Sequence, residues 1–197
     1  AFTLLVSTIM PIYFNALAES AGLSDVSYLA YWGYAVSAST ILVALLGPTI
    51  GTFSDLRGWK KPIFLISLLI GAVGCVLLGI LQSWLWFLLL FILAKSAYSL
   101  SLVLYDSMLI DVTTEDRMDQ VSSHGYAWGY IGSCIPFTIS LLLILGCDTI
   151  GLSTVMATAI AFIMNALWWF FITIPLLKNY QQINYTTAKE PIINNLK

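Results

Sequence analysis

Apolar residues run through this chain in long blocks, and polar residues are gathered into short breaks between them. Six blocks can be marked off: residues 2–17, 29–50, 62–81, 85–104, 125–145 and 155–177. Most hold about 20 residues, the length at which a helix crosses roughly 30 Å of hydrocarbon. The first is shorter, as a span already under way at Ala1 would be, so the chain is expected to begin inside a longer protein. No block alternates with a period of two along its length, which excludes barrel strands and predicts helices throughout. The pattern predicts an all-α membrane protein: a bundle of six transmembrane helices over residues 1–177. Residues 178–197 follow, rich in Asn, Tyr and Thr and without helical periodicity, and read as a linker.

Composition sharpens this picture. The chain is 59% hydrophobic and 9% charged, with a mean hydropathy of +0.90. A soluble domain carries about 25% charged residues, so there is too little charge here to cover a water-facing surface. The net charge of −2 matters less than where the charges fall. Arg57, Lys60 and Lys61 lie in the second connection, Arg117 in the fourth, and Lys178, Lys189 and Lys197 after the sixth block. The first, third and fifth connections (18–28, 82–84 and 146–154) contain neither Lys nor Arg. Every basic residue outside the blocks therefore shares one side, which the positive-inside rule makes cytoplasmic, together with both ends of the segment. The Asn184-Tyr-Thr186 sequon lies on that side and is set aside. Cys75 and Cys134 read as small core residues and Cys147 as a loop residue; three scattered cysteines make neither a disulfide framework nor a metal site.

Small residues recur at close-approach spacing: Gly47/Gly51, Gly125/Gly129, and Gly71, Gly74 and Gly79. Helices in lipid use such positions to pack, since lipid gives no hydrophobic drive to associate. Pro11, Pro48, Pro136 and Pro175 lie in or at the ends of blocks and are expected to kink helices and free carbonyls.

One charge breaks the apolar pattern. Lys95 lies about eleven residues into the fourth block, behind Phe87-Leu-Leu-Leu-Phe-Ile-Leu-Ala. A lysine at that depth costs on the order of 3 kcal/mol to insert, and snorkelling cannot carry it across roughly 15 Å to water. It is expected to face the protein interior or a wet cavity, either as an architectural residue paired to carbonyls or a carboxylate, or as part of a solute path. No carboxylate in the other blocks matches its depth, so its partner would be further sequence, a bound anionic group, or its own shifted protonation. Ser99 and Asp106 continue its helical face toward the cytoplasmic end and would line one wall of a path. The first block carries a polar line at helical spacing, Thr8, Asn15 and Glu19, and the sixth carries Asn165; interhelical hydrogen bonding is the plainer reading of these amides. His124 beside Ser122 and Ser123 has neither a G-x-S-x-G motif nor an orienting carboxylate, so no enzyme is expected. No phosphate loop, metal cluster or nucleic-acid footprint appears, and no cofactor is expected.

The second connection, Gly51-Thr-Phe-Ser-Asp55-Leu-Arg57-Gly58-Trp-Lys60-Lys61, resembles the loop between helices 2 and 3 of major facilitator transporters, with Gly51, Asp55, Gly58 and Lys60 on the matching positions. Tyr105-Asp-Ser-Met-Leu-Ile-Asp111, then Glu115-Asp-Arg117, then Val121-Ser-Ser-His-Gly125-Tyr-Ala-Trp-Gly129-Tyr130-Ile-Gly132, is similar to the Atg22-like (vacuole effluxer-like) branch of that superfamily. The resemblance implies the first half of a twelve-helix transporter, with a second six-helix half as partner. It implies that helices one and four line a central cavity, in keeping with Lys95, Ser99, Asp106, Thr8 and Asn15, and that helix six is peripheral. It further implies a cytoplasmic gate built from Gly51, Asp55, Arg57, Gly58 and Lys60 facing Arg117. Fungal members export amino acids from the vacuole. The expected function is therefore secondary transport of a small solute, an amino acid or another anionic or zwitterionic metabolite, with a coupling ion. The alternatives are a non-transporting membrane scaffold and a self-contained six-helix channel.

Overall fold

The computed structural model describes residues 2–186, so Lys189 and Lys197 lie outside the described residues. Among the described residues, six helices are long and apolar enough to cross a membrane. They are α1 (Phe2–Ser20), α2 (Asp25–Ser54), α3 (Lys60–Ile80), α4 (Trp84–Ser107), α5 (Met118–Leu145) and α6 (Thr154–Asn179). Most reach beyond their apolar blocks. The clearest difference from the sequence expectation is at Gly51–Ser54, placed there in the second connection: those residues complete α2, and the connection to α3 is only residues 55–59. Likewise α5 begins at Met118, so Val121–Gly125 is helical. After α4 a short helix, Leu109–Val112, carries the chain past the bundle end.

Pro48, Pro136 and Pro175 lie inside α2, α5 and α6. Pro11 acts on the turn before it: Leu5–Ile9 is wound as a π-helix. Proline offers no N–H to the carbonyl four residues back, and the wider turn accommodates the missing bond.

The core is built around α3 and α4, with half of each helix's most apolar window buried. The α3 glycines show why the helices close so tightly. A Cβ on Gly74 would sit 2.7 Å from the Ala94 Cβ of α4, and one on Gly79 would sit 2.9 Å from the Ala159 Cα of α6. The aromatic residues Phe14, Trp32, Phe87 and Phe91 tie α1, α2 and α4 together, with Trp32 and Phe91 at 4.4 Å and Phe14 and Phe87 at 6.0 Å. In contrast, α2 and α5 bury only 11% of their windows. Their glycines Gly33, Gly47, Gly51, Gly129 and Gly132 have open space where a side chain would stand. Of the cysteines, Cys75 and Cys147 are buried as small residues, whereas Cys134 on α5 is exposed rather than core, because it lies on one of the two least-covered helices.

Candidate functional site

The basic end of the bundle holds its densest polar cluster. Lys60 opens α3 and is 1% exposed. Its Nζ donates to the Ser107 carbonyl at 3.2 Å and lies 3.7 Å from both the Asp55 and the Asp111 carboxylates. Asp111 is buried and accepts from four further donors: the Tyr180 hydroxyl, the Ile183 N–H (3.1 Å), the Asn184 N–H (2.7 Å) and the Asn184 Nδ2 (3.1 Å). Burial and its hydrogen bond to Asp111 push the Tyr180 hydroxyl well above its ordinary pKa. A buried carboxylate is tolerated when its lone pairs are met in this way.

The expected gate residues divide. Asp55 and Lys60 lie within ion-pair distance of one another, at 3.7 Å. Gly51 lies in the last turn of α2, its carbonyl accepting from the Ser54 hydroxyl at 2.7 Å and the Asp55 N–H at 3.1 Å. Gly58 has a φ of +79°, a region glycine enters without strain, and its N–H donates to Gln182 Oε1 at 2.9 Å. Arg57 forms no ion pair with Asp55; its guanidinium lies 5.3 Å over the Tyr185 ring. Arg117 stands apart, exposed in the Glu115–Arg117 turn and outside the cluster. Asp111 takes the place expected of the fourth connection, because the short helix after α4 turns its carboxylate back onto Lys60 while Arg117 lies beyond that turn.

The second group lies along α1 and α4, which run antiparallel. Phe14 faces Phe87, while Thr3 Oγ1 and Tyr98 Oη share a hydrogen bond of 2.6 Å. These two cross-links set the relative depth of the polar residues. Asn15 lies near the level of Phe87, about 12 Å along α4 from Lys95, whereas Thr8 in the π-turn lies within about one turn of Lys95 in depth. Lys95 is half-buried and has no hydrogen bond or ion pair among the described residues. Its helix is clamped on both sides of it, by Ala94 against Gly74 and by the Ser96 hydroxyl donating to the Ser39 carbonyl of α2 at 3.2 Å. Ser99 is half-buried, and Asp106 is exposed and accepts from Tyr126 of α5 at 3.2 Å. The Oδ1 of Asn15 is buried without a donor. Asn165 serves α5–α6 packing, donating to Ser140 Oγ at 2.7 Å and the Ala161 carbonyl at 2.8 Å.

Sequence reasoning quoted Asp111 only as the close of a motif and missed Tyr180, Gln182 and Asn184. A lone carboxylate directly before Val112, in the apolar run Met108–Val112, was the available signal for Asp111. No periodicity marked the others.

A profile of the Major Facilitator Superfamily matches residues 1–193. The chain is similar to a protein of Bacillus subtilis (strain 168) named "Uncharacterized MFS-type transporter YxiO", with 39% identity over 204 aligned positions covering 100% of this chain and 47% of that relative. The chain thus spans about half the length of the curated relative it matches. No solved structure matches it. With the superfamily profile running across nearly all of its length, and six helices of membrane-crossing length among the described residues, the chain belongs to the major facilitator superfamily.

Proposed function

We propose that this chain forms the first six-helix half of a secondary transporter of the vacuole effluxer-like branch. It moves a small anionic or zwitterionic solute such as an amino acid, with a coupling ion, by alternating access. The observation that carries the reading is Lys95, a cation in mid-helix α4 with no partner among the described residues, at nearly the depth of the Thr8 π-turn on α1. An intramembrane charge left without a partner is costly unless something with opposite charge visits it. Ser99 and Asp106 extend the path toward the basic end, and Asn15 offers an open acceptor toward the other.

A second half also accounts for the bundle's uneven burial. The matched relative is about twice as long, and α2 and α5 are the two helices left bare, with open glycines along them. The basic end, with Arg57, Lys60, Lys61, Arg117 and Lys178, is cytoplasmic, and Gly51, Asp55, Arg57, Gly58, Lys60 and Arg117 belong to the gate there. In a bacterial host the membrane is the cell membrane, in a fungal one the vacuolar membrane.

The test is solute flux in proteoliposomes containing the full-length protein, using a panel of labelled amino acids and organic anions. Wild-type flux with at least a tenfold loss in Lys95→Ala supports the reading. A solute carried equally well by both proteins removes Lys95 from the path. Flux by residues 1–197 alone would favour a six-helix channel, and no flux of any solute by the full-length protein would favour a scaffold.

A further inference from the structure

The segment following α6 does not leave the bundle directly. It doubles back across the basic end and bonds to two separate elements. On one side Tyr180, Ile183 and Asn184 surround Asp111, and Asn184 Nδ2 also donates to the Ile110 carbonyl at 2.9 Å. On the other side Gln182 Nε2 donates to the Ser54 carbonyl at 3.1 Å and Gln182 Oε1 accepts from the Gly58 N–H. The Thr186 N–H donates to the Asp55 carbonyl at 2.8 Å, pairing Thr186 with Leu56 as a parallel bridge. Seven consecutive residues thus join the α2–α3 turn to the end of α4. The same Asp111 carboxylate serves this strap and Lys60.

These bonds lie on the face where the gate cluster sits, and they are hydrogen bonds of a short extended segment rather than of a packed helix. Such a segment can be released as a unit, since it owes its place to a few polar anchors and one buried ring. Its release would strip Asp111 of four donors and leave Lys60 as its remaining partner, so the docked and undocked strap correspond to two arrangements of the Asp55–Lys60–Asp111 cluster.

We infer that residues 180–186 form a latch: docked, the strap holds the α2–α3 turn and the end of α4 as one unit, and it must undock for those two elements to move apart during the transport cycle. The role in a cycle rests on the transport reading above; the latch itself does not.

The experiment uses the full-length protein with Cys134 changed to Ser and the pair Leu56→Cys and Thr186→Cys. Bridge partners lie roughly 5 Å apart, within the range a disulfide spans. Oxidation should close the cross-link. Amide hydrogen exchange across residues 55–59 and 109–112 should then slow at least tenfold, with dithiothreitol restoring it. Tyr180→Phe should speed exchange at the same amides while the helices stay protected. Full cross-linking with unchanged exchange, or Tyr180→Phe exchange equal to wild type, would overturn the latch. Solute flux in the same samples separates the two readings. Loss of flux on oxidation, reversed by reduction, supports the latch as part of the cycle. Flux within twofold of the reduced protein overturns that role. An absence of flux even in wild type counts against the transport reading alone, because the exchange measurement still decides the latch.

Discussion

Tyr180 donates its hydroxyl proton to Asp111 across 69 positions of chain, and both residues are buried at the basic end of the bundle. The bond joins the first residue past α6 to the short helix after α4. It engages the one carboxylate that Lys60 meets in a buried setting among the described residues, since the side chain of Asp55 is largely exposed.

That burial gives Lys60 a structural role at the basic end of the bundle. Removing one member of a buried ion pair costs about 3–5 kcal/mol, because the other charge is left uncompensated. Lys60→Met is therefore expected to lower unfolding stability in detergent by about that amount, followed by tryptophan fluorescence. Adding Asp111→Asn should recover part of the loss, the two changes being coupled through one contact. A Lys60→Met protein as stable as wild type would show that the pair contributes nothing.

The glycines separate helix contacts inside the described bundle from contacts to a second half. Gly79→Ala forces a Cβ against the Ala159 backbone and should cost about 1–3 kcal/mol by overpacking. Gly129→Ala meets nothing within 4 Å and should leave the stability of residues 1–197 unchanged or slightly raised. A transport defect in full-length Gly129→Leu, with the six-helix segment unaffected, would place α5 against the other half. Equal behaviour of the two would count against that placement.

Gly58 and Gly51 should respond in opposite ways. At Gly58 the left-handed backbone makes an alanine cost about 1–2 kcal/mol, and the strap bonded to its N–H should loosen. At Gly51 the backbone is helical with open space around it, so an alanine is expected to fold normally. Thermal unfolding of the two variants, with hydrogen exchange at residues 180–186, reads both effects. A Gly58→Ala protein matching wild type in both would contradict the turn geometry.

Lys95 should show stability and activity moving in opposite directions. Its ammonium finds no partner among the described residues and costs on the order of 3 kcal/mol to hold at mid-membrane. Lys95→Leu is expected to keep or raise thermal stability while abolishing solute flux. A large drop in stability would instead mark Lys95 as an architectural residue.

The six helices, their helical rather than strand character, and the gathering of Arg57, Lys60, Lys61 and Arg117 at alternate connections were all legible in the chain. Each follows from one-dimensional quantities: the length of an apolar block and the side on which cations remain. Lys95 was legible for the same reason, as a charge where hydrocarbon allows none without purpose. Helix ends were misjudged at Ser54 and Met118, because polarity marks where hydrocarbon stops and not where a helix does.

Which polar residues meet one another was decided only by the tertiary structure. Asp111 rather than Arg117 joins Lys60, and Arg57 rests on Tyr185, because these choices depend on how a short helix and a turn are angled at the bundle end. The strap from Tyr180 to Thr186 has no periodicity to announce it, since its place is set by hydrogen bonds to residues more than sixty positions away. Sequence alone determined that the chain crosses a membrane and where its charges must stay; only packing determined that Lys60 is paired within the bundle while Lys95, also inside it, is left without an ion pair among the described residues.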